Sequence, residues 1–301
     1  MPKKIPFNKS YKSASELVTL LQSRGLFVEN VAKAEQYLRT ISYYRLSAYL
    51  YPLLEMPKSS NHFTKGSSFS KAMTIYRFDK KLRLLLFNEV EKIEIAVRTA
   101  IIDECTTAYG NVFWMTDENN FVDKDKFHKT LSVIDSELQK THEVFIIHYK
   151  NKYLDPYPPA WMLAEIIPLG VLTNIFANLN NLKTKKNVAW RFGLPLPIFN
   201  SWLTIVTLTR NSCCHHARVW NRINNINPKF PKTISNPWLS SKPDTNRVYY
   251  NICIIKFLID RISPNNDMKG KLLSLLDAYP SIDTGAMGFP KGWKEEPLWN
   301  H

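Results

Sequence analysis

Apolar positions recur at helical spacing from one end of the chain to the other. Ser13-Ala-Ser-Glu16 has the form of a capping box ahead of Leu17, Leu20 and Leu21, with a stop at Gly25. Asn30 is placed to cap a second helix through Ala34, Tyr37, Leu38 and Ile41, and Tyr43-Tyr44-Arg45-Leu46 continues in phase towards Pro52. The clearest stripe lies in a long helix over 70–109, bent or broken along its length, where Leu82, Leu86, Val90, Ile93, Val97, Ala100 and Ile101 keep one face until Gly110. An acidic, Asn-rich connection over 116–126 precedes a helix over 127–149. Three prolines in Asp155-Pro-Tyr-Pro-Pro-Ala160 then mark a rigid linker between two halves of the helical assembly.

Beyond the linker, 161–182 predicts a helix bent at Pro168-Leu-Gly170, followed by a basic connector, Lys183-Thr-Lys-Lys186. Asn200 is placed to cap a helix from Trp202 to about Arg222. After a Pro-rich loop, Asp244 or Thr245 opens a helix through Tyr249, Ile252, Cys253, Ile255, Phe257 and Ile259. A short helix over 271–277 and an irregular, Trp-containing tail close the chain. Alternating strand pairs, hairpin turns and internal repeats do not occur, so the predicted fold is all-α.

Composition sharpens this picture. With 45% hydrophobic residues in 301, there is ample material for a core, which excludes a disordered chain. Only 9 glycines occur, with no GxGxxG and no GxxxxGK[ST], so nothing supports dinucleotide or P-loop chemistry. The net charge is +14, and from Ile166 to Pro243 there is no Asp or Glu, while Lys183, Lys185, Lys186, Arg191, Arg210, Arg218, Arg222, Lys229, Lys232 and Lys242 all fall there. Such a segment favours a polyanionic partner. The four cysteines lack disulfide-framework or CxxC spacing, which fits a reducing cytoplasm. No apolar leader core follows the charged N-terminus, and the uncharged stretches Ile166–Leu182 and Phe192–Thr209 are interrupted by prolines and polar residues. A cytoplasmic protein with no membrane partner is therefore expected.

Candidate chemistry concentrates in Thr209-Arg-Asn-Ser-Cys-Cys-His-His-Ala-Arg-Val-Trp-Asn-Arg222. On one continuous helix, Asn211, His215, Arg218 and Arg222 would share a row beside Arg210 and Cys214. A guanidinium, a carboxamide and an imidazole on one face suit cleavage of RNA by its own 2′-hydroxyl. The imidazole accepts the proton, and the cations meet charge developing on the phosphate. A single helix surrounds a phosphate poorly, so a homodimer with two such helices face to face is the natural unit. Four consecutive residues, Cys213 to His216, cannot converge on one metal ion, and no second Cys/His cluster exists to complete a site. No metal or cofactor is expected. Glu94 and Arg98, spaced i, i+4, read either as an intrahelical ion pair or as a polar cluster supporting the catalytic helix. Tyr43, Tyr44, Arg45, Tyr49 and Tyr51 read either as core or as an RNA-stacking surface. Lys183, Lys185 and Lys186 are candidate phosphate contacts if they lie beside the site.

Arg210-Asn-x-x-x-His215 matches the R-x4-6-H signature of the HEPN superfamily, and R-N-x-C-x-H-H-x-R-x-W-N-R resembles the abortive-infection AbiD/AbiF family in particular. Further ordered segments are similar to that family: Tyr37-Leu-Arg-x-Ile-x-Tyr-Tyr-Arg-Leu-Ser47, Tyr76-x-Phe-Asp-x-x-Leu-Arg83, Glu91-x-x-Glu94-x-x-x-Arg98, Pro158-Pro-Ala-Trp161 with Glu165, and Gly288-Phe-Pro-x-x-Trp293. Cys213-Cys214 departs from a more usual Cys-Ala, which touches only local packing. The resemblance implies a HEPN-like helical bundle: N-terminal helices over 1–69, a catalytic core over 70–235 and a C-terminal helical extension over 236–301. It also implies a homodimeric, metal-independent endoribonuclease that acts as a growth-arresting toxin against phage, with RNA as substrate and in some relatives as regulator. Arg210 and His215 occupy the signature positions. His216 also satisfies the spacing, with Asn211 and His216 expected to orient the substrate or the base, and Arg218 and Arg222 to contact RNA. A non-catalytic RNA-binding module or RNA-controlled scaffold is the alternative.

Overall fold

The computed structural model describes residues 6–234 and 236–300. The charged first five residues, and position 235, where the sequence places the end of the core, lie outside them. The described residues form α-helices joined by turns and short 3-10 segments, with four isolated bridges and no strand among them, so the fold is all-α. The chain divides into two compact units, Met1–Lys81 with Leu275–Ile282 and Leu82–Ser274 with Asp283–His301. The division falls inside a continuous helix rather than at 69/70, and most of the expected C-terminal extension shares a unit with the candidate site.

In the first unit, α1 (Ala14–Ser23) opens with the expected capping box. Ser13 N donates to Glu16 Oε2 at 2.7 Å, and Glu16 N donates to Ser13 Oγ at 3.3 Å. Asn30 caps α2 (Val31–Ile41), accepting from Lys33 N at 2.9 Å. The expected continuation breaks at Ser42, whose φ is 70°, and α3 (Tyr43–Leu50) starts on a new axis. The break turns Leu46 and Leu50 into the core that already holds Leu38, Leu21 and Met73. Tyr49 joins the interior too, its hydroxyl donating to buried Asp79 at 2.5 Å, so it is not an RNA-stacking ring. Tyr44 and Tyr51 are exposed, as is Arg45.

The second unit is built on α4 (Phe69–Tyr109) from Leu82 onward; α4 is a single unbroken helix about 60 Å long at 1.5 Å per residue. Its stripe from Leu82 to Ile101 is buried as the periodicity predicts, each large side chain worth roughly 1.5–3 kcal/mol on burial. Gly110 ends it with φ +60°. The single helix expected over 127–149 is two, α5 (Lys124–Lys140) and α6 (Val144–Lys152). The Lys150 ammonium closes the end of α5 by donating to Leu138 O at 2.6 Å. Pro168, lacking an N–H, separates α7 (Ala160–Ile166) from α8 (Leu169–Asn178).

Lys183, Lys185 and Lys186 lie in the first turns of α9 (Leu182–Arg191), not in a connector, because Asn181 caps that helix through Thr184 N at 3.0 Å. Next come α10 (Leu196–Cys214), α11 (Val248–Ile262) and α12 (Met268–Asp277). Every residue of α11 from Val248 to Ile259 is buried, so this helix needs cover on all sides. The tail supplies part of it: the Phe289 ring packs 4.7 Å from Tyr249, and Trp299 Nε1 donates to the Tyr249 hydroxyl at 3.2 Å. No single described helix is long and apolar enough to cross a membrane. Only α9 and α10 taken together reach that length, and they bend by 65° between them.

Candidate functional site

The site helix is shorter than its sequence pattern predicts. It begins at Leu196 after Pro195, not at Trp202, and ends at Cys214 rather than near Arg222. His216 takes the left-handed conformation with φ +54°. His216 N donates to Cys213 O at 3.1 Å and Ala217 N to Ser212 O at 2.9 Å, the paired bonds of a Schellman turn, with histidine where glycine is usual. Tertiary contacts fix the stop. Arg83 on α4 donates to Ala217 O at 3.4 Å, and Val219 and Trp220 turn inward to burial. The expected row Asn211, His215, Arg218, Arg222 therefore does not exist, because the last three lie past the helix end.

The turn still gathers much of that set. Arg210 and Asn211 occupy the last full turn of α10, and Arg210 Nη1 stands 3.5 Å from Asn211 Oδ1. His215 follows directly as the cap residue, its backbone N–H bonded to Asn211 O at 3.0 Å, and its side chain is exposed. Arg222 returns to the helix, Nη1 donating to Ser212 Oγ at 2.9 Å. Arg218 is half-buried and His216 exposed. Ser212 as the anchor for Arg222 carries no sequence signal, since the contact joins residues ten apart through an irregular turn.

Beneath the turn, α4 supplies a carboxylate flanked by guanidinium groups. Glu94 Oε1 accepts from Arg98 Nη2 at 2.5 Å, and Glu94 Oε2 lies 3.4 Å from Arg210 Nε, a charge contact without hydrogen-bond alignment. The Glu94/Arg98 pair is an intrahelical ion pair, and its carboxylate also reaches α10. Arg98 is committed further, donating to Ala164 O and, at 3.0 Å, to Ile167 O, the carbonyls at the end of α7. It fixes the frame, while Arg210, with a side chain one-third exposed, keeps an outward edge.

The other expected cations are elsewhere. Asn211 lies some fifteen residues into α10, roughly 22 Å along its axis, and the 65° bend carries that end away from α9. Lys183, Lys185 and Lys186 consequently do not border the turn. Lys185 instead donates to Ala177 O at 2.7 Å and Leu179 O at 3.2 Å, closing the end of α8, and burial lowers its ammonium pKa. Arg191 pairs with Asp103 and Glu104 on α4. Arg45 belongs to the first unit. Among the described residues, no three His, Cys, Asp or Glu side chains gather as a metal-ligand set.

Chemically, the turn offers an exposed imidazole, a carboxamide and two guanidinium groups at one helix end, with a carboxylate behind the first of them. Such a set can hold a tetrahedral oxyanion and move a proton beside it. The aromatic and glycine residues of the Gly288 segment serve packing, with Phe289 and Trp293 in contact around Tyr249.

No curated protein and no solved structure matches the chain. Residues 36–221, well over half its length, match the family described as Abi-like protein, and that span runs from α2 through the site turn as far as Asn221. The chain belongs to the Abi-like protein family, an abortive-infection family.

Proposed function

We propose that this protein is a HEPN-type endoribonuclease of abortive infection, cutting RNA without a metal ion and arresting growth as a toxin when phage infects. The observation that carries this reading is the meeting of Arg210, Asn211, His215 and Arg222 at the exposed end of α10. His215 removes the proton from a ribose 2′-hydroxyl. That oxygen attacks the adjacent phosphorus while Arg210 and Asn211 hold the phosphate oxygens, and the bond to the 5′-oxygen breaks. The leaving oxygen takes back the proton, giving a 2′,3′-cyclic phosphate and a 5′-hydroxyl. The substrate supplies its own nucleophile, so the scheme requires no Lewis acid.

A homodimer completes the site in this reading. Leu84, Phe87 and Ile95 form an exposed stripe on α4 beside Glu94, and Leu208 is exposed one turn before the site on α10, an apolar surface suited to a second copy. The test is sequencing of RNA ends after induced expression of wild type and His215→Ala, with purified enzyme assayed in EDTA. Cyclic-phosphate ends that vanish in His215→Ala and persist on chelation support the reading. Cleavage that needs a divalent ion, or RNA binding by wild type without any cleavage, overturns it, the second result favouring the RNA-binding scaffold.

A further inference from the structure

Away from the site turn, α11 contains a charge where its sequence calls for none. Lys256 stands in an otherwise apolar run, is 3% exposed, and has Asp260 one turn later as its partner. Burying such a pair gains little, since apolar residues of the same volume are often as stable or more so. The pair is nevertheless held in place. Asn266 Nδ2 donates to Asp260 Oδ1 at 2.7 Å and to Ser263 O at 2.9 Å, while Asn266 Oδ1 accepts from Met268 N at 3.1 Å. An ammonium has three donors, and among the described residues the acceptor given to Lys256 is Asp260 Oδ2 alone.

Lys256 and Asp260 open on a cavity of about 270 Å³. Lys269, half-buried on α12, adds a second cation to its lining, and Pro237, Phe257, Pro264 and Leu298 provide an apolar wall. Two cations against one carboxylate leave a positive balance suited to a phosphate, which lysine binds as a point charge. Each Asp260 oxygen receives one of the two donors and keeps acceptor capacity for a sugar hydroxyl. The apolar wall suits a flat ring. The volume falls just below the usual range of ligand sites, about 300–1,000 Å³, which excludes a dinucleotide or a strand of RNA.

The geometry points to a binding site for a nucleoside monophosphate in this cavity, separate from the Arg210/His215 turn. The phosphate sits against Lys256 and Lys269, a ribose hydroxyl on Asp260, and the base against Phe257 and the two prolines.

Calorimetric titration of the full chain with AMP, GMP, CMP and UMP, beside adenosine and inorganic phosphate, tests this. At least one mononucleotide binds to wild type, and Lys269→Ala weakens it by about tenfold or more, the worth of one charge-assisted hydrogen bond. The double variant Lys256→Met/Asp260→Leu removes binding while its melting temperature stays at or above that of wild type. Arg210→Ala and His215→Ala bind as wild type does, so failure here is distinguishable from failure of the nuclease reading. The assignment is overturned if no mononucleotide binds, if adenosine or phosphate alone binds equally well, if Lys269→Ala leaves affinity unchanged, or if Arg210→Ala abolishes binding.

Discussion

Glu94 on α4 and Arg210 on α10 face each other across 3.4 Å, though 116 positions separate them in the chain, and the same carboxylate holds Arg98. Glu94 thus joins the helix frame to the Arg210 guanidinium of the site turn. Removing it leaves two partly buried cations without their counter-charge. Glu94→Ala should destabilise the fold by roughly 1–3 kcal/mol, and Arg210→Ala by less, because Arg98 then keeps its partner. Urea unfolding of both variants checks the order, and equal losses would contradict it.

His216 is the left-handed residue of the turn that ends α10. A side chain in that conformation costs about 1–2 kcal/mol that glycine does not incur. Both His216→Gly and His216→Ala delete the imidazole, so their difference isolates the backbone. His216→Gly should be the more stable of the two by about 1 kcal/mol, read from thermal unfolding.

Gly288 has φ +87°, and a Cβ placed there would lie 2.5 Å from Cβ of Arg247. Arg247 itself donates to Asn221 Oδ1 at 3.1 Å and to Ala286 O at 3.4 Å, tying the tail to the loop after the site turn. Gly288→Ala combines a disfavoured backbone with a collision that no rotamer relieves, a loss of about 3 kcal/mol or more. Denaturation midpoints measure it. A neutral result would mean that the tail does not pack against Arg247.

The four cysteines should differ sharply towards an alkylating reagent at pH 8. Burial raises the Cys105 thiol to about 12 and pushes Cys253 up as well, so both remain protonated thiols, and Cys213 is buried. Cys214 is half-buried at the end of α10. Mass spectrometry should find Cys214 modified in the native protein and the other three only after unfolding.

Local chemistry alone specified much of this molecule. The capping box at Ser13, the cap at Asn30, the stripe from Leu82 to Ile101 and the stop at Gly110 are decided by residues within a turn or two of one another, so periodicity exposes them. The candidate chemistry was also legible, since Arg210, Asn211 and His215 are neighbours in the chain as well as in space. The end of α10 was not. No glycine or proline stands at 214–217, and what stops the helix is Arg83 holding Ala217 from α4 and the burial of Trp220.

The same division separates the cations. Their number, and the absence of any Asp or Glu between Ile166 and Pro243, are facts of sequence, and they favour a positive potential there. Which of them can face a ligand is decided by partners far along the chain. Lys185 is taken by the carbonyls of α8 and Arg191 by Asp103 and Glu104, while Arg222 is brought back to Ser212. A side chain's charge is fixed by its own atoms, but its freedom depends on which unsatisfied group the fold sets beside it, and that requires the packed helices.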